Sequence, residues 1–134
     1  MSLAAPGPRQ AALRRYSSDG ASITSNERLV VMLYERLCND IVEAAAAMRD
    51  GRPGDAHRPL INAQEIVEAL DTALDLDRWP EGIALRALYD YVGGELVQAN
   101  LTKDPSRLDT CLGHVEPLRD AWREAWAATA GSVA

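Results

Sequence analysis

Two histidines and two cysteines are the strongest metal-binding or nucleophilic candidates in this 134-residue chain, and two of the four fall together. Cys111-Leu112-Gly113-His114 forms a single C-x-x-H. A zinc site needs three or four protein ligands, and Cys38 alone would have to complete this one. A di-metal carboxylate centre needs Glu-x-x-His on two helices, whereas His57 and His114 are preceded three residues back by Gly54 and Cys111. As a nucleophile and its base, Cys111 and His114 would sit one helical turn apart on a core-facing helix, out of reach of a substrate. Asp71, Asp75 and Asp77 read as a solvated helix end. No G-x-x-x-x-G-K-[ST], G-x-G-x-x-G or G-x-S-x-G occurs, which leaves phosphate-cradling loops and nucleophile elbows without support. No catalytic residue, metal site or cofactor is expected.

Composition narrows the remaining classes. The net charge is −6 and the only basic doublet is Arg14-Arg15, whereas sequence-independent nucleic-acid binding needs a basic stripe. No run approaches the roughly 20 apolar residues of a membrane span. The opening MSLAAPGPRQ lacks the continuous apolar stretch of a secretory signal. A soluble cytoplasmic protein without membrane insertion is expected. Cys38 and Cys111 then read as small buried side chains, a disulfide requiring that they be close and oxidised.

The elements follow from apolar spacing and its punctuation. Residues 1–24 are rich in Ala, Gly, Pro, Ser and Arg and read as a flexible N-terminal segment, in which Tyr16 is either an ordinary exposed tyrosine or an anchor for a groove. Thr24 or Ser25 is expected to cap a first helix whose stripe is Val30, Leu33, Leu37, Ile41, Ala44 and Met48, ended by Asp50-Gly51-Arg52-Pro53-Gly54. A second helix, Asp55 to Leu74, carries Leu60, Ala63, Val67, Leu70 and Leu74, broadened by Ile61 and Ile66, with Pro59 in its first turns. A third, Glu81 to Thr102, carries Leu85, Leu88, Val92, Leu96 and Ala99. Lys103-Asp104-Pro105 is a boundary, with Asp104 as cap. Leu108, Leu112, Val115, Leu118, Trp122 and Ala125 then mark a fourth helix to about Thr129, which Pro117 should kink. The expectation is an all-α, antiparallel up-and-down four-helix bundle over residues 25–129, with a C-terminal tail at 130–134.

With catalysis set aside, the function left is binding. The wide apolar band of the second helix is either buried against two neighbours or partly exposed as a binding face. Gly93-Gly94 in mid-helix is either a weak point in that helix or the place where another backbone comes close. A small acidic bundle with extra apolar residues suits a partner that is itself an amphipathic helix.

Several segments, in this order and spacing, carry a resemblance to a known family. They are Leu29-Val30-Val31-Met32-Leu33-Tyr34-Glu35, Ala63-Gln64-Glu65-Ile66-Val67 with Leu70, Leu88-Tyr89-Asp90-Tyr91, Leu96-Val97-Gln98-Ala99-Asn100, and Leu118-Arg119-Asp120-Ala121-Trp122. From Tyr16 to Trp126 the chain resembles the flagellar export chaperone family FliS. It departs from the family pattern at Asn26, at Gly93-Gly94 and at Pro117. The resemblance implies a cytoplasmic chaperone that holds the disordered C-terminal segment of flagellin as helices on the bundle surface, prevents premature polymerisation and presents flagellin to the type III export gate. It also implies that Tyr16 plugs part of the groove until flagellin displaces it. The residues expected to bind are Tyr16, Ile61, Gln64, Ile66, Leu70, Leu85, Tyr89, Leu96 and Asn100. For the apolar members the competing assignment is plain core, and for Gln64 and Asn100 it is an interhelix or capping hydrogen bond. A four-helix adaptor for another secretion or regulatory protein is the alternative function.

Overall fold

The computed structural model describes the backbone of residues 23–133 and the side chains of residues 27–128, so Tyr16 lies outside it. Four helices carry the fold: α1 (Ile23–Arg49), α2 (His57–Thr72), α3 (Ile83–Thr102) and α4 (Pro105–Val133). Single 3₁₀ turns at Pro53–Ala56 and Pro80–Gly82 lead into α2 and α3. No strand occurs among the described residues, and none of their helices is long and apolar enough to cross a membrane.

Each helix end has a local cause. α1 closes where Gly51 adopts φ +74°. That left-handed residue lets Arg52 N–H reach the Ala47 carbonyl (2.8 Å) and Gly51 N–H the Met48 carbonyl (3.3 Å), which satisfies two of the helix's last acceptors. α3 ends the same way without a glycine. Lys103 takes φ +55°, its N–H bonds the Ala99 carbonyl, and its Nζ donates to Asn100 Oδ1 at 2.6 Å. Asp104 caps α4 by accepting from Ser106 N–H (2.9 Å) and Ser106 Oγ (2.7 Å), bonds that hold its carboxyl below the usual carboxylate range. At the other end of the chain α1 already begins at Ile23, so Thr24 and Ser25 lie inside its first turn rather than ahead of it.

Proline is placed where it costs least. Pro59 falls in the first turn of α2, where its missing N–H has no intrahelical acceptor to lose. Pro117 does not end α4, which runs unbroken from Pro105 to Val133. The carbonyl it leaves without a helical donor belongs to Gly113, on the exposed face where water reaches it.

Around the bundle each helix packs on its chain neighbours, and α4 closes the ring against α1. α1 and α3 therefore stand at diagonal corners. They meet through the Tyr34 and Tyr89 hydroxyls, 2.5 Å apart in the core, while the Tyr34 ring stacks on Trp122 at 6.5 Å. This pair turns α1 relative to the stripe expected from apolarity alone. Val31, Tyr34, Leu37, Cys38 and Ile41 are buried, whereas Val30, Leu33 and Met48 are only half-buried at its margin. Ion pairs tie the seams at the surface: Arg123–Glu35 and Arg49–Asp109 between α4 and α1, Arg107–Glu95 between α4 and α3, and Arg86–Asp71 between α3 and α2.

Candidate functional site

The groups that could do chemistry do not converge. Cys38 and Cys111 are both buried free thiols. Burial pushes Cys38 up to about 11 and Cys111 up to about 12, so neither forms a thiolate nucleophile near neutrality. His114 lies half-buried, edge-on to Tyr91 with ring centroids 5.3 Å apart. Among the described residues, no three His, Cys, Asp or Glu side chains are grouped to hold a metal ion. An open polar cleft of about 410 Å³ at the end of α2 is lined by Thr72 to Asp77 and Arg86, remote from both cysteines in the chain.

The candidate binding surface lies instead on the α2–α3 hairpin. Two contacts clasp its seam. At one end Arg86 donates from Nε to Asp71 Oδ1 (3.2 Å) and from Nη2 to the Asp71 carbonyl (3.4 Å). At the other, Asn100 Nδ2 and His57 Nδ1 are 3.0 Å apart. These pairs define one antiparallel register, in which each step of seven residues along α2 is matched by seven along α3. That register sets Gln64 opposite Gly93 in the middle of the seam. A Cβ on Gly93 would meet only Val67 Cγ1, at 3.7 Å, and one on Gly94 would meet nothing within 4 Å. No element of the bundle makes a close approach there. The two glycines leave the rim of the α2–α3 seam without side-chain bulk, and Gln64 beside them makes no hydrogen bond to another described residue.

The residues expected to bind divide by burial. Leu70, Leu85, Tyr89 and Leu96 belong to the core and expose almost no surface in this structure. Ile61 and Gln64 are half-buried along the α2–α3 groove, with Asn100 at its end. Both ends of the Asn100 amide are engaged, by His57 and Lys103, so this side chain clasps two helices. Ile66 is half-buried but two residues from Gln64, which turns it by about 200° to the flank of α2 nearer α1.

The expected set omitted the outward face of α3. Ile83 (63% exposed), Tyr91 (45%), Val97 (40%) and Leu101 (73%) lie on the side opposite the buried Leu85, Val92, Leu96 and Ala99, with Ala87 and Gly94 between them. A solvated helix face is normally polar, and this one carries a single charge, Asp90. The sequence signal is a second series, 83, 87, 91, 94, 97 and 101, stepping by 4, 4, 3, 3 and 4 on the back of the first. α1 shows a smaller version near its start, where Leu29 and Met32 are exposed.

Comparison with known proteins adds an independent line. Residues 9–129 match the family model described as flagellar protein FliS. The chain is 31% identical over 110 residues to the flagellar secretion chaperone FliS of Bacillus subtilis, covering 82% of each chain. It is 32% identical over 102 residues to the protein of the same name from Escherichia coli, covering 75% of each. A third relative of that name, from Vibrio cholerae, is 28% identical over 103 residues.

Proposed function

The chain belongs to the FliS family of flagellar proteins, and from that premise we propose that it binds the disordered C-terminal segment of flagellin in the cytoplasm, keeps it from polymerising and delivers it to the flagellar type III export apparatus. Chaperone action of this kind asks for a surface and no reaction. The observation that carries the reading is the exposed apolar outer face of α3, where Ile83, Val97 and Leu101 point outward beside Gly93–Gly94. An amphipathic segment laid there exchanges its own apolar surface and that of Ile83, Tyr91, Val97 and Leu101 from water, worth roughly 25 cal/mol per Å² against the cost of ordering the segment. In this reading Ile61 lines the groove and Gln64 offers its amide to the segment's backbone. Asn100 closes one end. Leu70, Leu85, Tyr89 and Leu96 support the face from beneath, and Tyr16 is the plug that the segment displaces.

The test is calorimetric titration with the last ~50 residues of flagellin from the same organism, a length that allows two or three helices. Submicromolar one-to-one binding with a large negative heat-capacity change is expected, the signature of folding onto an apolar surface. A folded bundle that does not bind would move the function to another partner. Tyr16→Ala should leave the fold intact and alter the affinity. Unfolding of that variant would make Tyr16 structural and remove the plug.

A further inference from the structure

The charge of the chain is not evenly spread. From His57 to Thr102, the hairpin of α2 and α3, there are eight carboxylates against three arginines, a net −5 of the whole chain's −6. The other half is nearly balanced, and its carboxylates are largely engaged: Glu35 by Arg123, Asp109 by Arg49, Asp120 by Arg119. On the hairpin, Asp71 and Glu95 are likewise paired, but Glu65, Glu68 and Asp90 are exposed and have no cationic partner among the described residues.

Their positions bear on the open face. Asp90 lies in the middle of the outward stripe of α3, between Ala87 and Gly94. The register set by Asp71–Arg86 and His57–Asn100 brings Glu68 to the opposite side of the groove, within one residue of Asp90. Like charges on the two sides of the groove repel, and neither Glu68 nor Asp90 has an ion-pair partner among the described residues. A cation supplied from outside would relieve that repulsion while its apolar neighbours covered Val97 and Leu101.

We propose that the outer face of α3, with its acidic margin of Glu65, Glu68 and Asp90, takes an amphipathic helical segment whose apolar stripe is bordered by lysine or arginine. The inference rests on the reading that this protein works by binding a secretion substrate, and it specifies the chemistry of the segment bound. Apolar burial holds the segment. The acidic margin selects it and speeds its encounter, which makes binding salt-dependent.

The experiment titrates the full-length protein with two synthetic helical peptides of identical leucine pattern, one flanked by lysine and its twin by glutamate. The lysine peptide should bind and the glutamate twin should not. Affinity should fall about tenfold between about 50 mM and about 500 mM salt. The substitution set Glu65→Gln, Glu68→Gln, Asp90→Asn should reproduce that loss at low salt. The set Glu43→Gln, Glu116→Gln, Glu124→Gln, which removes the same charge from α1 and α4, should not. Leu101→Ser, at an exposed position, should also weaken the lysine peptide. Equal losses from the two charge sets, or binding that ignores salt, would overturn the proposal. Self-association abolished by Leu101→Ser would assign the face to a second copy. Tighter peptide binding in Arg14→Glu/Arg15→Glu would assign it to the chain's own N-terminal residues, and either result overturns it too. The flagellin segment run in the same titrations separates the two levels. Tight, salt-insensitive flagellin binding keeps the chaperone reading and sinks this one. Site-selective lysine-peptide binding without flagellin binding does the reverse.

Discussion

Replacing Gly93 and Gly94 by alanine distinguishes a helix that is merely weak from one kept open for a partner. Both glycines lie deep inside α3, at least two turns from either end, where glycine costs about 0.8–1 kcal/mol relative to alanine. Neither new methyl meets an obstacle: Gly94 has open space, and Gly93 gains an ordinary van der Waals contact with Val67 Cγ1 at 3.7 Å. The double variant should therefore be more stable by about 1–2 kcal/mol. With a urea slope of about 1.5 kcal/mol per molar, the unfolding midpoint moves up by about 1 M at unchanged slope. In the same preparation, affinity for the flagellin segment should fall, because two methyls now stand in the groove where its backbone would pass. A loss of stability would refute the packing argument. A gain in stability with unchanged affinity would show that the glycines serve no partner and only weaken the helix.

Gly82→Ala should act in the opposite direction. Its Cβ would lie 2.7 Å from Trp79 Cε3 and 3.1 Å from Leu76 Cδ2, and the buried Trp79 has little room to retreat, so a loss of about 1–3 kcal/mol is expected in urea or thermal unfolding. An unchanged midpoint would mean that the turn before α3 yields freely. Tyr34→Phe and Tyr89→Phe should each cost about 1 kcal/mol, and the double variant less than the sum, because each single change already removes the shared hydroxyl bond. Strict additivity in the cycle would sink that coupling. Asp40 supplies a pH test. It is buried, and burial raises its carboxyl above the ordinary range despite the bond from Arg36 at 3.2 Å, with Oδ2 lacking a partner among the described residues. A carboxyl whose folded pKa is raised binds its proton more tightly in the folded state than in the unfolded one. Its contribution to stability then falls as pH rises through the window from the unfolded to the folded pKa. Asp40→Asn should thus gain most at neutral pH, with the gain shrinking as the pH drops through that window. A gain that grows on acidification would reverse the assignment.

How much of this was legible from residue order depends on what each feature needs. Helix limits need only local chemistry. Gly51, Pro80 and Asp104-Pro105 punctuate the chain, and α2, α3 and α4 begin where those residues placed them to within about two residues. The inward face of α1 needed more. Counting apolar residues favoured Leu33, but a tyrosine is worth burying when a hydroxyl waits across the core, and Tyr34 finds its partner 55 residues away. No local window contains that fact. The resemblance in residue order reached the family, because it rests on many segments at once and does not depend on any one facing inward.

The candidate binding residues were the least legible part, and α3 shows why. Apolar spacing finds a face, yet a helix apolar on two opposite faces offers no internal reason to prefer one for the core. The stripe through Leu85, Val92 and Leu96 was the more continuously apolar, and an unbroken apolar stripe marks packing against the core. A face reserved for a ligand has to be good enough to bind and soluble enough to wait. If the outer face of α3 binds as proposed, Asp90 and Gly94 keep it soluble while Leu101 stays available at its end. Asp90, Gly94 and Gln98 share that face, and these small or polar positions are what hid Ile83, Tyr91, Val97 and Leu101 from a count of apolar residues. The same reasoning predicts where a second contact would lie: at Leu29 and Met32, a pair of large apolar side chains exposed one turn apart near the start of α1.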